Sequence, residues 1–221
     1  MTQIKFGIFN YLIADNEALL GTINNTEITD SSADSNAFIN PSFTKVRVEI
    51  TPTIFYNNKY YFVKRVGVCA FRSSNITSVK VGKFVQEIQF RAFDWCSYLI
   101  KIEFDPESSL TKIMGSFGVD SRLSEIRFPP FLSYISTYLF TYNTNLRSIY
   151  FGGSNIDCRT DYSLNTALSI FVLPNFVNQT LCNHSVTVLS KFPDPIIKSC
   201  INNRQYIYYL SHIHIFILII Q

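Results

Sequence analysis

The sequence has little glycine, a single tryptophan and no preponderance of charge of one sign. Its 221 residues include 8 Gly and 1 Trp against 20 Phe and 13 Tyr, and the net charge is only +3. No run of five like charges occurs, which argues against nucleic acid or an anionic membrane surface as a partner. The shortage of glycine and the excess of Phe and Tyr favour β-strands and aromatic layers.

Catalytic motifs are also absent. The chain contains no Gly-x-Gly-x-x-Gly, Walker loop, Gly-x-Ser-x-Gly or His-Glu-x-x-His. Its three histidines are His184, His212 and His214, and the His212-x-His214 pair has no third metal ligand nearby in sequence. The sequence therefore predicts a protein that is not an enzyme, without cofactor or metal.

Cysteine is sparse and odd in number, which argues weakly against a complete disulfide framework. No two of the five form a Cys-x-x-Cys pair. Cys69 and Cys96 lie two or three residues from Phe71 and Phe93, which recur at a regular spacing. We expect small, inert, buried thiols there. A Cys158–Cys182 bridge is compatible with a secreted protein.

The chain lacks a classical signal peptide and a run of apolar residues long enough to span a membrane as a helix. Asn10, Asp15 and Glu17 follow too soon after the first apolar residues for a signal sequence. The apolar tail, Ile207–Ile220, has 14 residues, whereas a spanning helix needs about 20. Two interpretations of residues 207–220 stay open: membrane association, or a packed or self-associating end.

What the sequence does contain is a repeat of 22–25 residues, running from Val66 to about Leu173. Five apolar columns recur in four copies. The columns are Val66, Ile88, Ile113, Ile135; Phe71, Phe93, Phe117, Phe140; Ile76, Leu99, Leu123, Leu146; Val79, Ile102, Ile126, Ile149; and Val81, Phe104, Phe128, Phe151. A period of this length predicts a solenoid, in which each unit buries its apolar face against its neighbours.

The predicted fold is mainly β, with one parallel strand per repeat, a second short extended piece, and short helical or 3₁₀ turns that carry the Phe column. Two hairpins precede the repeats, around Asp15–Glu17 and Asn57–Asn58, and residues 45–50 alternate as a half-buried strand. We therefore divide the chain into an N-terminal β cap with a polar loop (1–65), the repeats with a degraded last copy (66–190), and an apolar tail (191–221).

The register of the last repeat stays open on sequence grounds. Leu168, Phe171 and Leu173 continue the columns at a spacing of 22 residues, and Ala167, Ile170 and Val172 continue them at 21. A slip of one residue exchanges the two faces of a strand.

The outward face of the predicted sheet is the candidate interaction face. Alternation places six side chains on it: Lys80, Lys101, Glu103, Glu125, Arg127 and Tyr150. In-register stacking predicts a charge ladder Lys80–Glu103–Arg127 and a second pair, Lys101–Glu125. One interpretation is a self-satisfied, solvated surface, because exposed pairs contribute only ~0–1 kcal/mol each. The other is a ligand face with a charged half and an aromatic half at Tyr150.

The unit from Ile88 to Phe104, with Ala92-Phe93, Cys96, Leu99 and Ile102, resembles the BspA-like leucine-rich repeat family, whose repeat reads roughly Ile-x-x-x-Ala-Phe-x-x-Cys-x-x-Leu-x-x-Ile-x-Ile/Phe. The lead-in from Tyr60 to Phe71 is similar to that family as well. The resemblance, to the trichomonad type, covers residues 10–190.

That resemblance implies a right-handed leucine-rich-repeat solenoid at the cell surface that acts in adhesion or host binding, although the chain lacks a classical signal peptide. The expected function is thus a non-enzymatic module that binds a protein or glycan ligand through its sheet face. The alternative is a structural, self-assembling protein that becomes membrane-associated or oligomeric through its tail.

Overall fold

The structure is a computed structural model that describes residues 1–7, 9–21, 37, 45–118, 122–136, 139–140, 143–159 and 168–193. Over these ranges it is built from strands and turns, and no helix there is long and apolar enough to cross a membrane. The strands in chain order are β1 (Thr2–Phe6), β2 (Phe9–Ala14), β3 (Glu17–Leu20), β4 (Val46–Ile50), β5 (Thr53–Tyr56), β6 (Lys59–Val66), β7 (Ile76–Val81), β8 (Glu87–Ile88), β9 (Lys101–Phe104), β10 (Lys112–Ile113), β11 (Glu125–Phe128), β12 (Tyr134–Ile135), β13 (Ser148–Phe151), β14 (Asp157–Cys158), β15 (Ser169–Val172), β16 (Thr180–Leu181) and β17 (His184–Val188).

Both predicted hairpins are confirmed. Strands β2 and β3 pair antiparallel around Asp15 and Asn16, and β5 pairs antiparallel with β6 around Asn57 and Asn58. The left-handed φ angles of Asn57 (49°) and Asn58 (58°) suit the tight turn, because Asn tolerates that region better than most residues. Strand β1, which pairs with β2, was not predicted.

Parallel ladders connect the repeats on two sides. On one side the longer strands pair in order, β4–β7–β9 and β11–β13–β15–β17. On the other side the two-residue strands β8, β10, β12 and β14 follow β6 in a nine-stranded sheet of order β1-β2-β3-β6-β8-β10-β12-β14, in which β5 also pairs with β6. The second short extended piece predicted in each repeat is one of these two-residue strands, and it pairs in parallel with the corresponding strand of the next repeat. Each repeat therefore contributes one strand to each of the two ladders.

The apolar columns form the core. All twenty column residues are buried except Phe104, which is half-buried. The second column is a stack of rings: the Phe71 and Phe93 centroids lie 5.3 Å apart with planes at 9°. The spacing is 5.4 Å from Phe93 to Phe117 and 6.2 Å from Phe117 to Phe140. The predicted alignment of these four rings is confirmed.

The segments that carry the Phe column are successive turns in the described residues, not the helical or 3₁₀ turns that were predicted. Cys69 and Ser73 adopt left-handed φ angles of 53° and 58°, and Arg91 and Trp95 repeat that pattern at 56° and 60°. A helix cannot continue through such residues. Backbone hydrogen bonds instead join turn to turn, as from Phe71 N to Ala92 O at 2.8 Å.

The structure resolves the register of the last repeat. Strand β15 pairs with β13 so that Ile149 lies opposite Ile170 and Phe151 opposite Val172. Ile170 and Val172 are buried, so the spacing is 21 residues. In this register Ile170 and Val172 lie in the core, and the half-buried Phe171 stacks on Tyr150.

Cysteine chemistry divides into two kinds. Cys69 and Cys96 are buried thiols that form no disulfide, as predicted. Burial raises the pKa of the Cys96 thiol to about 12, which keeps it protonated and unreactive. Cys158 and Cys182 form a disulfide with their Cα atoms 5.1 Å apart, which joins β14 to the turn before β17.

The tail, residues 207–220, lies outside the described residues, as do His212 and His214. The membrane and self-association interpretations therefore stay predictions, as does the division of the chain at residues 65 and 190.

Candidate interaction face

The longer strands present a row of side chains that alternate with the buried columns. Along this face the register places Glu49 beside Lys80, Lys80 beside Glu103, and Arg127 beside Tyr150. Alternation on a strand sends every second side chain to the solvent side, since Val48, Val79 and their equivalents point inward. We call the outward row of β4, β7, β9, β11 and β13 the candidate interaction face.

The charges pair differently from the predicted ladder. Lys80 Nζ lies 2.9 Å from Glu49 Oε1, a partner on β4 instead of β9, and this hydrogen bond raises the pKa of the Lys80 ammonium. Lys101 and Glu103 form a pair of 2.6 Å within β9. Residues two apart on one strand share a face, so this pair forms within β9. Strands β9 and β11 belong to different sheets in the described residues, so no strand pairing aligns Glu103 with Arg127.

On β11 the same arrangement recurs. Arg127 Nε donates to Glu125 Oε1 at 2.6 Å, so the predicted Lys101–Glu125 pair does not form. The Arg127 guanidinium also lies 4.3 Å from the centroid of the Tyr150 ring, and its Nη1 donates to the carbonyl of Pro193 at 2.7 Å. Through this hydrogen bond Arg127 holds the backbone at Pro193 close to strand β11.

Tyr150 differs from the exposed anchor that the sequence suggests, because its side chain is only 8% exposed. Its ring stacks on Phe171 at 5.0 Å and 19°, and Phe192 contacts it edge-on at 5.3 Å. Tyr150 is covered by Phe171 and Phe192, which lie 21 and 42 residues further along the chain. The alternation of residues within one repeat does not predict these contacts.

The face therefore has two parts. An exposed charged part lies on β4, β7 and β9, where the side chains of Lys80, Lys101 and Glu103 are each about half exposed. An aromatic part on β11 and β13 is covered at Tyr150 by Phe192. Glu49 completes the charged part and was missed because residues 45–50 were assigned to the cap, although their alternation places Glu49 outward.

The ladder of two-residue strands carries a second row of charges that sequence reasoning did not single out. Glu87 and Lys112 pair at 3.6 Å, and Lys112 Nζ lies 5.6 Å from the Tyr134 ring centroid. Arg65, next along the row, pairs with Glu17 at 3.7 Å. Arg65, Glu87, Lys112 and Tyr134 each precede a residue of the first apolar column by one position, which is the signal that could have found them.

The described ranges hold no group of three or more His, Cys, Asp or Glu side chains suited to a metal ion. His184 is half-buried, with Nδ1 3.0 Å from the Cys182 carbonyl oxygen. The charged part of the face is an array of exposed, paired charges on hydrogen-bonded strands.

The period and column order match a known family. The family model described as the BspA type leucine-rich repeat region matches residues 64–183, in 6 copies. The chain belongs to the BspA-type leucine-rich repeat family. The matched region starts at the end of β6, two residues before the first buried column position of the BspA-type repeats, and ends just after Cys182.

Comparison with solved structures finds three proteins that are similar to this BspA-type chain. A leucine-rich repeat protein from Bacteroides capillosus has 20% identity and a TM-score of 0.47, covering 78% of this chain and 99% of that one. The pneumococcal vaccine antigen PcpA has 18% identity and a TM-score of 0.47, covering 79% and 47%. A Bacteroides ovatus leucine-rich repeat protein has 15% identity and a TM-score of 0.37, covering 76% and 55%. No curated protein matches the chain.

Proposed function

We propose that this chain is a non-enzymatic interaction module: a right-handed leucine-rich-repeat solenoid at the cell surface that binds a protein or glycan ligand in adhesion or host contact. The observation that carries the proposal is the charged part of the candidate interaction face. Glu49, Lys80, Lys101 and Glu103 stand exposed on neighbouring parallel strands, held in place by pairs of 2.6–2.9 Å. The right hand follows the rule for parallel crossover connections.

Rigid placement is what makes these charges useful for recognition. Each exposed pair adds little to stability, ~0–1 kcal/mol, so the sheet does not need this pattern in order to fold. Complementary charge on a partner would give orientation and selectivity more than raw affinity. A solenoid supplies such a surface without a pocket, because its repeats extend in one dimension.

The test uses the full chain, fluorescently labelled, on intact cultured epithelial cells, measured by flow cytometry. Saturable binding is expected, and the double variant Lys80→Glu with Lys101→Glu should weaken it about tenfold, as loss of two interface contacts would. A matched control reverses two exposed charges elsewhere, Lys5→Glu with Arg159→Glu, and should bind as the parent does. Equal losses in both variants, or binding that never saturates, would contradict the proposal.

Surface location is tested separately. Protease added to intact cells that produce the protein should degrade it, whereas protection until lysis would contradict export. The alternative of self-assembly through residues 206–221 predicts a mass in light scattering that rises with concentration and falls to that of a monomer when those residues are deleted.

A further inference from the structure

An array of aromatic rings and lysines lies on the β5–β6 hairpin and the loop after β7, apart from the candidate interaction face. Phe55 and Tyr60 are opposite each other in the hairpin, with ring centroids 4.8 Å apart. Phe62 contacts Phe84 edge-on at 5.0 Å. We call this array the aromatic–lysine strip, and its members are Phe55, Tyr60, Phe62, Lys64, Lys83 and Phe84.

Lysines lie against these rings instead of in buried ion pairs. Lys64 Nζ is 5.7 Å from the ring centroids of both Phe62 and Phe84, and Lys83 Nζ is 5.1 Å from that of Phe84. Lys64 has no ion-pair partner among the described residues, and Lys83 meets only the exposed carboxylate of Glu107, at 3.5 Å. Both ammonium groups remain available to an anionic ligand.

The strip follows strand β6. Tyr60 and Phe62 are two residues apart on β6 and share a face, ~6.6 Å apart. The pairing of β6 with β3 shifts register between Val63 and Arg65, and Lys64 Nζ lies 5.7 Å from the Phe62 ring centroid. Tyr60 is 63% exposed. Phe55, Phe62 and Phe84 are half-buried beside it. A row of rings along a strand suits a chain-like ligand more than a small molecule, which binds in concave sites.

The density of positive charge on the strip distinguishes between a nucleic acid and an acidic polysaccharide as the chain-like ligand. The strip carries two cations, Lys64 and Lys83, and the carboxylates of Glu107 and Glu17 are paired with Lys83 and Arg65 beside it. A nucleic acid, with one charge per phosphate, would need a denser set of cations. A polysaccharide with a carboxylate on only some of its sugars matches this sparse pattern.

We propose that the aromatic–lysine strip binds an acidic polysaccharide of the uronate type. The apolar faces of the sugar rings lie on Tyr60 and Phe62, since an aromatic face is electron-rich and attracts C–H groups. The carboxylates of the uronate units pair with Lys64 and Lys83. The tyrosine hydroxyl adds a donor and acceptor for the sugar hydroxyls.

The experiment measures binding of hyaluronate octasaccharide to the full chain by isothermal titration calorimetry. Binding that weakens as ionic strength rises is expected, and Tyr60→Ala or Lys64→Gln should each weaken it about fivefold to tenfold, as loss of an interface anchor does. The matched controls are Phe131→Ala, which removes an aromatic ring that is 70% exposed elsewhere, and Lys101→Gln on the candidate interaction face. Both controls should bind as the parent does.

Three results would overturn the proposal: no binding of the octasaccharide, equal losses in the controls, or tighter binding of a single-stranded oligonucleotide or a poly-glutamate peptide than of the uronate oligosaccharide. A circular dichroism spectrum of each variant excludes loss of fold as the cause. The epithelial-cell test uses charge reversals outside the strip, so either proposal can fail while the other stands.

Discussion

The rings of Phe93 and Phe117 stack 5.4 Å apart with planes at 19°, although they belong to successive repeats. The backbone reinforces the stack, because Phe93 N donates to Ser116 O at 3.0 Å. Cohesion between repeats thus comes from the turns as well as from the two strand ladders.

The middle of this stack should be the most sensitive position in the core. Phe93 is fully buried between Phe71 and Phe117, so Phe93→Ala should lower the free energy of unfolding by about 3–5 kcal/mol through lost burial and a cavity. Urea denaturation measures the change. Phe131→Ala, at an exposed ring, should stay within about 0.5 kcal/mol of the parent, and a similar cost for the two variants would contradict the stacking account.

A glycine near β7 should tolerate no side chain. A Cβ on Gly82 would collide with the carbonyl oxygen of Ile50 and lie 3.1 Å from Pro52 N, and both are backbone atoms that cannot rotate away. Gly82→Ala should therefore destabilise the fold by about 1–3 kcal/mol. The control is Gly152→Ala, whose Cβ meets only ordinary contacts at 3.7 Å or more. Thermal unfolding of the two variants should separate them, and equal melting temperatures would refute the clash.

A buried carboxylate should make stability depend on pH. Burial raises the pKa of Asp94 to about 6, against the opposing effects of a hydrogen bond from Gly118 N at 3.1 Å and the charges of Arg91 and Arg72. The folded state thus holds this proton more tightly than the unfolded chain, whose Asp titrates near ~3.9. The free energy of unfolding should fall as pH rises from about 4 to about 6, by up to ~3 kcal/mol, and then level off.

Asp94→Asn should remove that dependence, because the amide does not titrate. Urea midpoints measured at intervals between pH 4 and pH 7.5 provide the comparison. Glu107→Gln, at a carboxylate that is 79% exposed, should leave the pH profile of the parent intact. A profile for Asp94→Asn with the parent's slope would show that another group titrates.

The disulfide should stabilise the C-terminal repeats. Cys158 and Cys182 are 24 residues apart in sequence, and closing a loop of that length stabilises a fold by about 3.5 kcal/mol in the chain-entropy model. Cys158→Ser with Cys182→Ser should lower the free energy of unfolding by that amount. Reductant should destabilise the parent and leave the double variant unchanged; insensitivity of the parent to reductant would show that the bond is not formed.

Much of the core was predictable because its signal is local. A side chain such as Phe93 or Ile102 repeats at the period of the turn and strand that carry it, and burial of each column follows from spacing and hydrophobicity alone. The hairpin at Asn57–Asn58 has the same local origin, since two Asn between alternating strands specify a tight turn.

The candidate interaction face was predictable only in part. Alternation identified which residues of β7, β9 and β11 point outward, but it did not predict that Lys80 would pair with Glu49 or that Arg127 would pair with Glu125. Partner choice depends on rotamers and on which strands are neighbours, and Glu49 belongs to a segment outside the apparent repeats.

Period, column chemistry and turn residues were thus sufficient to establish a stacked β-repeat core of the BspA type. The choice of Ile170 over Phe171 as the buried residue, the covering of Tyr150 by Phe192 and the bond between Cys158 and Cys182 required packing in three dimensions. The physical reason is the distance along the chain over which each signal acts. The apolar periodicity can be seen within each repeat. These contacts, in contrast, join residues of different segments, and their spacing along the chain does not give their distance in space.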